Sequence, residues 1–123
     1  MSLLLHGDCL ELLSEVEDNS VDFIFCDLPY GQTCKKTNPW DIPLDLHLLW
    51  EQLLRVKKQR TPIFFTTTTK YGFELLKYQP AKCPFKYDIV WEKTTASGFL
   101  TSKKIPLSIV LIMYLIYELL LLM

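Results

Sequence analysis

A carboxylate and an aromatic ring stand three residues apart directly after a strongly apolar run. Residues 21–26 are rich in β-branched and aromatic side chains, and the run is followed by Asp27, Leu28, Pro29, Tyr30 and Gly31. This pattern predicts a buried strand that ends at Asp27. A loop at the carboxyl end of a strand in an open parallel sheet lies where ligands bind. The loop offers a carboxylate and a carbonyl as hydrogen-bond acceptors, and the ring of Tyr30 as a stacking face.

The elements around this loop are predicted to alternate between strands and helices. Asp8 and Glu11 have the spacing of a capping box at a helix start. The apolar runs and the turn residues between them predict strands at 3–5, 21–26, 62–67 and 85–91, and helices at 8–16, 44–58 and 70–78. Alternation at this spacing predicts an α/β fold with right-handed crossovers and a mostly parallel, Rossmann-like sheet.

The clearest helix in the sequence is the one predicted at 44–58. Its apolar residues recur at helical spacing, and Arg55, Lys57 and Lys58 lie in its last turn, where cations suit the helix dipole. The basic cluster therefore has a sufficient structural explanation, although phosphate contact stays open as an alternative. The expected buried face consists of Leu46, Leu49, Trp50, Leu53 and Val56.

The charges are unevenly distributed, although the 123 residues carry a net charge of only −1. Residues 1–27 contain seven acidic side chains and no Lys or Arg, whereas residues 31–104 contain all thirteen Lys and Arg and six acidic side chains. A polyanionic partner would meet the later segment. The alternative is an ordinary solvated surface.

The four cysteines are Cys9, Cys26, Cys34 and Cys83, and they form no Cys-x-x-Cys pair. With only two histidines in the chain, the spacing predicts neither a metal site nor a disulfide framework. The first residues lack the basic flank and apolar core of a signal peptide. We therefore expect a reduced, cytoplasmic chain.

Several stretches together resemble one enzyme family, the β-class DNA amino-methyltransferases. Residues 27–31, followed by Trp40 and Asp41, are similar to the Asp-Pro-Pro-Tyr catalytic loop of its phage-like subgroup, with Leu28 in place of the first Pro. Residues 6–13 are similar to the family's opening strand and turn. Residues 87–94, 97–100 and 103–107 are similar to the strand and loop that complete its base pocket. The resemblance covers about residues 4–107 and implies a methyltransferase domain over residues 1–107.

The resemblance implies transfer of a methyl group from S-adenosylmethionine to N6 of an adenine flipped out of double-stranded DNA. The amine is a poor nucleophile because its lone pair is delocalised, and acceptors such as Asp27 would favour a tetrahedral nitrogen. Asp at position 27 favours adenine, since N4-cytosine enzymes more often carry Ser there. The implied catalytic residues are Asp27, Pro29 and Tyr30, the cofactor-binding residues are Asp8, Cys9 and Asp27, and the substrate-binding residues are Tyr30, Gly31, Lys35, Trp40, Trp91, Lys93 and Ser97.

The glycine-rich Phe-x-Gly-x-Gly cofactor loop of the family has no counterpart here. The chain has four glycines, and no two of them are close enough to form that loop: Gly7, Gly31, Gly72 and Gly98. We therefore expect an incomplete sheet and cofactor site, and an N-terminal part of a methyltransferase that is inactive by itself. A second copy or a separate C-terminal half would be its partner.

The last nineteen residues, 105–123, have Glu118 as their only charge. Their length and hydropathy make a borderline transmembrane helix, and a buried strand or helix is the alternative. Because the resemblance stops at Leu107, residues 108–123 are predicted to be a frameshifted tail. Two other functions stay open: an RNA or protein amino-methyltransferase, and a non-catalytic, membrane-associated remnant.

Overall fold

A four-stranded sheet with helices is the framework of the protein. The computed structural model describes residues 2–31, 36, 39–92 and 110–117, with Glu92 and residues 110–117 described by their backbone alone. The strands are β1 (Ile24–Asp27), β2 (Pro62–Thr67), β3 (Phe85–Glu92) and β4 (Val110–Tyr117). The helices are α1 (Cys9–Leu12), which continues as a 3₁₀ turn (Leu13–Glu15), α2 (Leu46–Val56) and α3 (Thr69–Lys77).

The sheet has the strand order β1-β2-β4-β3. β1 and β2 are parallel, with Ile24 beside Ile63 and Asp27 beside Thr66, whereas β4 is antiparallel to both β2 and β3. The expectation of parallel pairing therefore holds for β1 and β2 and is wrong for both pairings of β4. Because β4 enters between β2 and β3 in the opposite direction, the other three strands still point the same way. Their carboxyl ends consequently share one edge of the sheet.

Helix α2 forms the centre of the core, as its periodicity predicts. Trp50 packs edge-on against Phe65 of β2, with ring centroids 5.4 Å apart, and its indole N–H donates to the carbonyl of Leu75 in α3 at 3.1 Å. Burial of these apolar side chains is the main stabilising contribution. The five predicted residues are all buried: Leu46, Leu49, Trp50, Leu53 and Val56.

The N-terminal segment departs from the prediction at residues 3–5. These residues form no strand, and Leu3 and Leu4 are 82% and 95% exposed. A short apolar run becomes a strand only where a neighbour supplies backbone hydrogen bonds, and no described strand pairs with it. Asp8 caps α1 as predicted, and its carboxylate accepts from the N–H of Leu10 at 2.8 Å.

Helix α3 is capped by Thr68, whose hydroxyl accepts from the N–H of Tyr71. Tyr71 and Leu75 are buried on the core side of this helix. Phe73, in contrast, is 66% exposed. Phe73 lies two positions from both buried residues, which turns it to the opposite side of a helix.

The basic cluster at the end of α2 is held within the protein. Arg55 bonds Asp18 and the carbonyls of Leu13 and Val16, so it ties α2 to the segment that precedes β1. Lys57 is buried and donates to two nearby carbonyls, and Lys58 pairs with Asp22 at 2.7 Å. These contacts favour the structural explanation of the cluster over phosphate contact.

Membrane-spanning helices and metal-binding clusters can be assessed only among the residues that the structure describes. Among them, no helix combines the length and apolar character needed to cross a membrane. Within the same residues, no group of three His, Cys, Asp or Glu side chains is placed to hold a metal ion.

Candidate active site

The loop after β1 begins at the shared carboxyl edge of the sheet and turns sharply at Gly31. Gly31 has φ +68°, and its backbone N–H donates to Oδ1 of Asp41 at 2.8 Å. A Cβ at this position would lie 2.3 Å from Cγ of Pro43. Both the positive φ and the close approach require glycine. The resemblance predicts that Gly31 binds substrate. The structure shows a conformational requirement for glycine at this position.

The carboxylate of Asp27 is held by hydroxyl groups. The Thr66 hydroxyl, from the neighbouring strand β2, donates to Asp27 Oδ1 at 2.5 Å. The Tyr30 hydroxyl lies 3.3 Å from Thr66 Oγ1 and 3.5 Å from Asp27 Oδ1, so its single hydrogen is shared between them. Both contacts that described residues make with this carboxylate reach Oδ1, which leaves Oδ2 able to accept from another group.

The ring of Tyr30 packs against Tyr71 of helix α3. The two ring centroids are 5.4 Å apart and the planes are inclined by 44°. Burial is the main cause of a raised pKa for Tyr30, and the Asp27 carboxylate adds to it, so the phenol is neutral at physiological pH. The hydroxyl of Tyr71 is buried and has no hydrogen-bond partner among the described residues. A neutral, packed Tyr30 ring is suited to stacking.

A cavity of about 780 Å³ lies on one side of the loop. Asp8 and Cys9 line it together with Asp27 and Trp40, so the structure brings the expected cofactor-binding residues to one place. Most of the lining is apolar, and the carboxylates of Asp8, Asp27 and Asp45 stand among the apolar groups. Such a lining fits a nucleoside, with a planar base against apolar side chains and ribose hydroxyls that donate to carboxylates.

A second cavity, of about 370 Å³, is lined by the loop itself together with Trp40 and Asp41. Asp27, Pro29 and Trp40 line both cavities, and Tyr30 lines only the second. The loop after β1 is therefore the common wall of the two cavities. A group bound in one cavity lies close to a group bound in the other.

Cys26 also lines the larger cavity. Burial is the main cause that raises its pKa to about 12, and the charge of a Cys9 thiolate is the smaller cause. The pKa of Cys9 is raised as well, mainly by burial and then by Asp8. Both cysteines are therefore thiols at neutral pH, and neither is activated as a nucleophile.

Of the other expected substrate-binding residues, Trp91 lies within the described part of the chain and is not brought to these cavities. Trp91 lies on β3, exposed, at the same edge of the sheet as Asp27 but three strand spacings away, roughly 14 Å. It lines neither cavity. Lys35, Lys93 and Ser97 lie outside the described residues.

The structure adds contacts that the sequence pattern does not identify. Asp41 anchors Gly31, Pro43 closes over it, and Thr66 and Tyr71 support Asp27 and Tyr30. The sequence pattern places Thr66 only near the end of a strand. No local sequence signal identifies its contact with Asp27, because that contact follows from the register of two parallel neighbouring strands in the folded sheet.

The α/β sheet, with an acidic loop at its carboxyl edge between two cavities, has a counterpart among solved structures. The chain aligns with the crystal structure of a Thermus thermophilus protein assigned as a DNA modification methylase, with a TM-score of 0.60 and 13% identity. The alignment covers 91% of this chain and 50% of that one. At this identity the likeness concerns the fold.

The sequence relationship is more specific. The chain is 32% identical over 90 residues to the type II methyltransferase M.BamHI of Bacillus amyloliquefaciens, an alignment that covers 68% of this chain and 21% of M.BamHI. The chain thus spans about a fifth of the length of that curated relative. No family model matches the sequence. The protein is a homologue of DNA methyltransferases.

Proposed function

We propose that this chain carries the catalytic loop of an S-adenosylmethionine-dependent DNA methyltransferase that modifies N6 of adenine. The observation that carries the proposal is that Asp27 and Pro29 line both cavities at the carboxyl edge of the sheet. Direct methyl transfer requires a donor site and an acceptor site that meet at one point. The similarity to M.BamHI supports DNA as the substrate, and Asp at position 27 supports adenine.

The larger cavity is the proposed donor site. When bound there, S-adenosylmethionine would supply a methyl group on a positively charged sulfur. Apolar side chains such as Leu10 and Ile24 would contact the adenine ring, and Asp8 would accept from a ribose hydroxyl. Asp8 keeps one oxygen for this role, because the other caps the N–H of Leu10.

The smaller cavity is the proposed acceptor site. Oδ2 of Asp27 would accept a hydrogen of the exocyclic amine, and a carbonyl of the adjoining loop would accept the other. These acceptors favour a nitrogen whose lone pair is available for the methyl group. Tyr30 would stack on the flipped base, and Trp40 lies at the rim of both cavities. Cys26 takes no part, since its thiol is protonated.

We further propose that the methionine part of the cofactor is held by residues beyond this chain, in a second copy or in a separate C-terminal half. The absence of a glycine-rich pair in the sequence supports this proposal. The chain alone would then bind the nucleoside part weakly and transfer methyl groups slowly or not at all. The proposed methyl transfer is therefore an activity of the complete assembly.

NMR titration of the isotope-labelled chain tests the donor site, because it detects millimolar binding. Adenosine and S-adenosylhomocysteine are expected to shift the amide signals of Asp8, Cys9 and residues 24–28, whereas methionine shifts none of them. The Asp8→Ala variant should weaken both nucleoside titrations. Shifts confined to other residues, or no shifts at saturating nucleoside, would contradict the assignment of this cavity.

A transfer assay with radiolabelled S-adenosylmethionine tests the acceptor. With an assembly that contains this chain and the residues that hold the methionine part of the cofactor, we expect label in DNA to be recovered as N6-methyldeoxyadenosine, and Asp27→Ala to remove it. Parallel reactions with RNA and with protein separate the alternative substrates. Label in N4-methylcytosine, RNA or protein would overturn the proposed acceptor.

A further inference from the structure

Thr66 is a buried polar residue at the carboxyl edge of the sheet, beside the candidate catalytic residue Asp27. It is only 7% exposed and sits at the carboxyl end of β2, where its register partner on β1 is Asp27. Parallel pairing brings two residues 39 positions apart in sequence into hydrogen-bond contact. The contact depends on strand pairing, so it is as rigid as the sheet.

The hydrogen bonds around Thr66 have a defined direction. Its hydroxyl has one hydrogen, which it donates to Asp27 Oδ1 at 2.5 Å, and its oxygen accepts from Tyr30 at 3.3 Å. The chain of donors runs from Tyr30 through Thr66 to Asp27. Each bond restricts the side-chain torsions of the residues at its two ends. A bond to a carboxylate is also stronger than one between neutral groups.

We propose that Thr66 is a positioning residue: its hydroxyl occupies Oδ1 of Asp27 and thereby turns Oδ2 towards the smaller cavity. The inference rests on the proposed function only for the identity of the amine that Oδ2 would meet. The same hydroxyl holds Tyr30 next to the carboxylate, so one side chain fixes both the acceptor and the stacking ring. Reacting groups must be held within a fraction of an ångström for efficient transfer.

Two substitutions at Thr66 separate its hydroxyl from its shape. Thr66→Val keeps the volume and branching and removes the hydroxyl, whereas Thr66→Ser keeps the hydroxyl and removes the methyl group. Thr67→Val is the matched control, because Thr67 is a fully buried neighbour on the same strand whose hydroxyl donates to the carbonyl of Thr68 at 2.9 Å.

The readout is the χ1 torsion of Asp27, measured by three-bond NMR couplings in the full chain without cofactor or DNA. We expect one rotamer in the wild type, in Thr66→Ser and in Thr67→Val, and averaging between rotamers in Thr66→Val. A single rotamer in folded Thr66→Val would overturn the proposal. So would averaging in Thr66→Ser together with a fixed rotamer in Thr66→Val, which would show that packing alone matters.

Two measurements keep the proposal falsifiable if Thr66→Val does not fold. In the wild type, the hydroxyl proton of Thr66 should exchange slowly with solvent and show a nuclear Overhauser effect to the β protons of Asp27. Absence of this Overhauser effect, together with fast exchange of the hydroxyl proton, would overturn the proposal. Tyr30→Phe should leave Asp27 in one rotamer, because the bond from Thr66 remains. Averaging in Tyr30→Phe would assign the positioning role to Tyr30.

These outcomes are independent of whether the chain methylates DNA, because none of them needs turnover. Where an assembly containing the wild-type chain transfers methyl groups, Thr66→Val should lower kcat about tenfold with little change in KM, and Thr66→Ser should recover most of the rate. Failure of the proposed function would be seen in the wild type itself. Failure of the positioning role would be seen in the Asp27 rotamer.

Discussion

The backbone N–H of Gly31 donates to Oδ1 of Asp41 at 2.8 Å and so joins the two ends of the loop that follows Asp27. The bond spans ten positions of sequence. It places Trp40, the neighbour of Asp41, against both cavities. The geometry of the candidate active site therefore depends on a turn that only glycine can make at position 31.

Replacement of Gly31 by Ala should lower the free energy of unfolding by roughly 2–4 kcal/mol, because a positive φ and a clash act together. The added Cβ would lie 2.3 Å from Cγ of Pro43. In a Pro43→Ala background the clash is removed, and the cost should fall to about 1–2 kcal/mol, the cost of the backbone conformation alone. A double-mutant cycle by urea denaturation measures the difference. Equal costs in the two backgrounds would show that the two residues are not in contact.

Arg55 should contribute more to stability than its single ion pair suggests. It bonds Asp18 at 2.5 Å and two main-chain carbonyls at 2.8 and 2.7 Å, with a side chain 27% exposed. Arg55→Ala should cost about 2–3 kcal/mol, because two partly buried carbonyls each lose a charged donor. Arg55→Lys should recover less than half, since an ammonium cannot form the same fork.

The control for Arg55 is Asp18→Ala, which removes only the exposed acceptor of the pair. We expect a loss of about 1 kcal/mol or less in the same urea experiment. A loss as large as that of Arg55→Ala would show that the ion pair, and not the contacts to carbonyls, carries the stability.

The first turn of α2 depends on Asp45, whose carboxylate accepts from the N–H of Leu48 at 3.1 Å. Asp45→Ala should destabilise the protein by about 1 kcal/mol, whereas Asp45→Asn retains an acceptor and should be almost neutral. Thermal unfolding of both variants by circular dichroism checks this. An equal loss in both would indicate that charge, and not capping geometry, is what matters.

Stability should fall at alkaline pH because of Cys26. Its pKa in the folded protein is about 12, above the ordinary value of 9.0, so the native state retains a proton that the unfolded state loses. The contribution of the protonated Cys26 thiol to the free energy of unfolding is complete below about pH 9 and is lost as the pH rises towards 12. Tyr71, whose pKa is also raised to about 12 by burial, adds to the loss above about pH 10.

The measurement for Cys26 is the free energy of unfolding at pH 8 and at pH 10.5, in the wild type and in Cys26→Ala. We expect a smaller decrease in the variant, because it lacks the titrating thiol. Cys26 should also react slowly with iodoacetamide at pH 8. Rapid alkylation in the folded protein would contradict the raised pKa.

The sequence alone was enough for features that depend on neighbouring residues. The apolar spacing of α2 identified its five buried side chains, and Asp8 was predicted as a helix cap from its own segment. The loop after residue 26 was identified because Pro and Gly end a strand locally. Such features follow from helical periodicity and from side chains that bond the backbone a few residues away.

Only the tertiary structure decided which distant segments meet. An apolar run indicates that a strand is favourable. The strand with which it pairs, and the direction of that pairing, depend on competition among all free strand edges. Residues 3–5 found no described partner, whereas β4 paired with two strands in the antiparallel sense. The contact of Thr66 with Asp27 has the same origin, because a register between strands is a property of the folded sheet and leaves no local mark in the sequence.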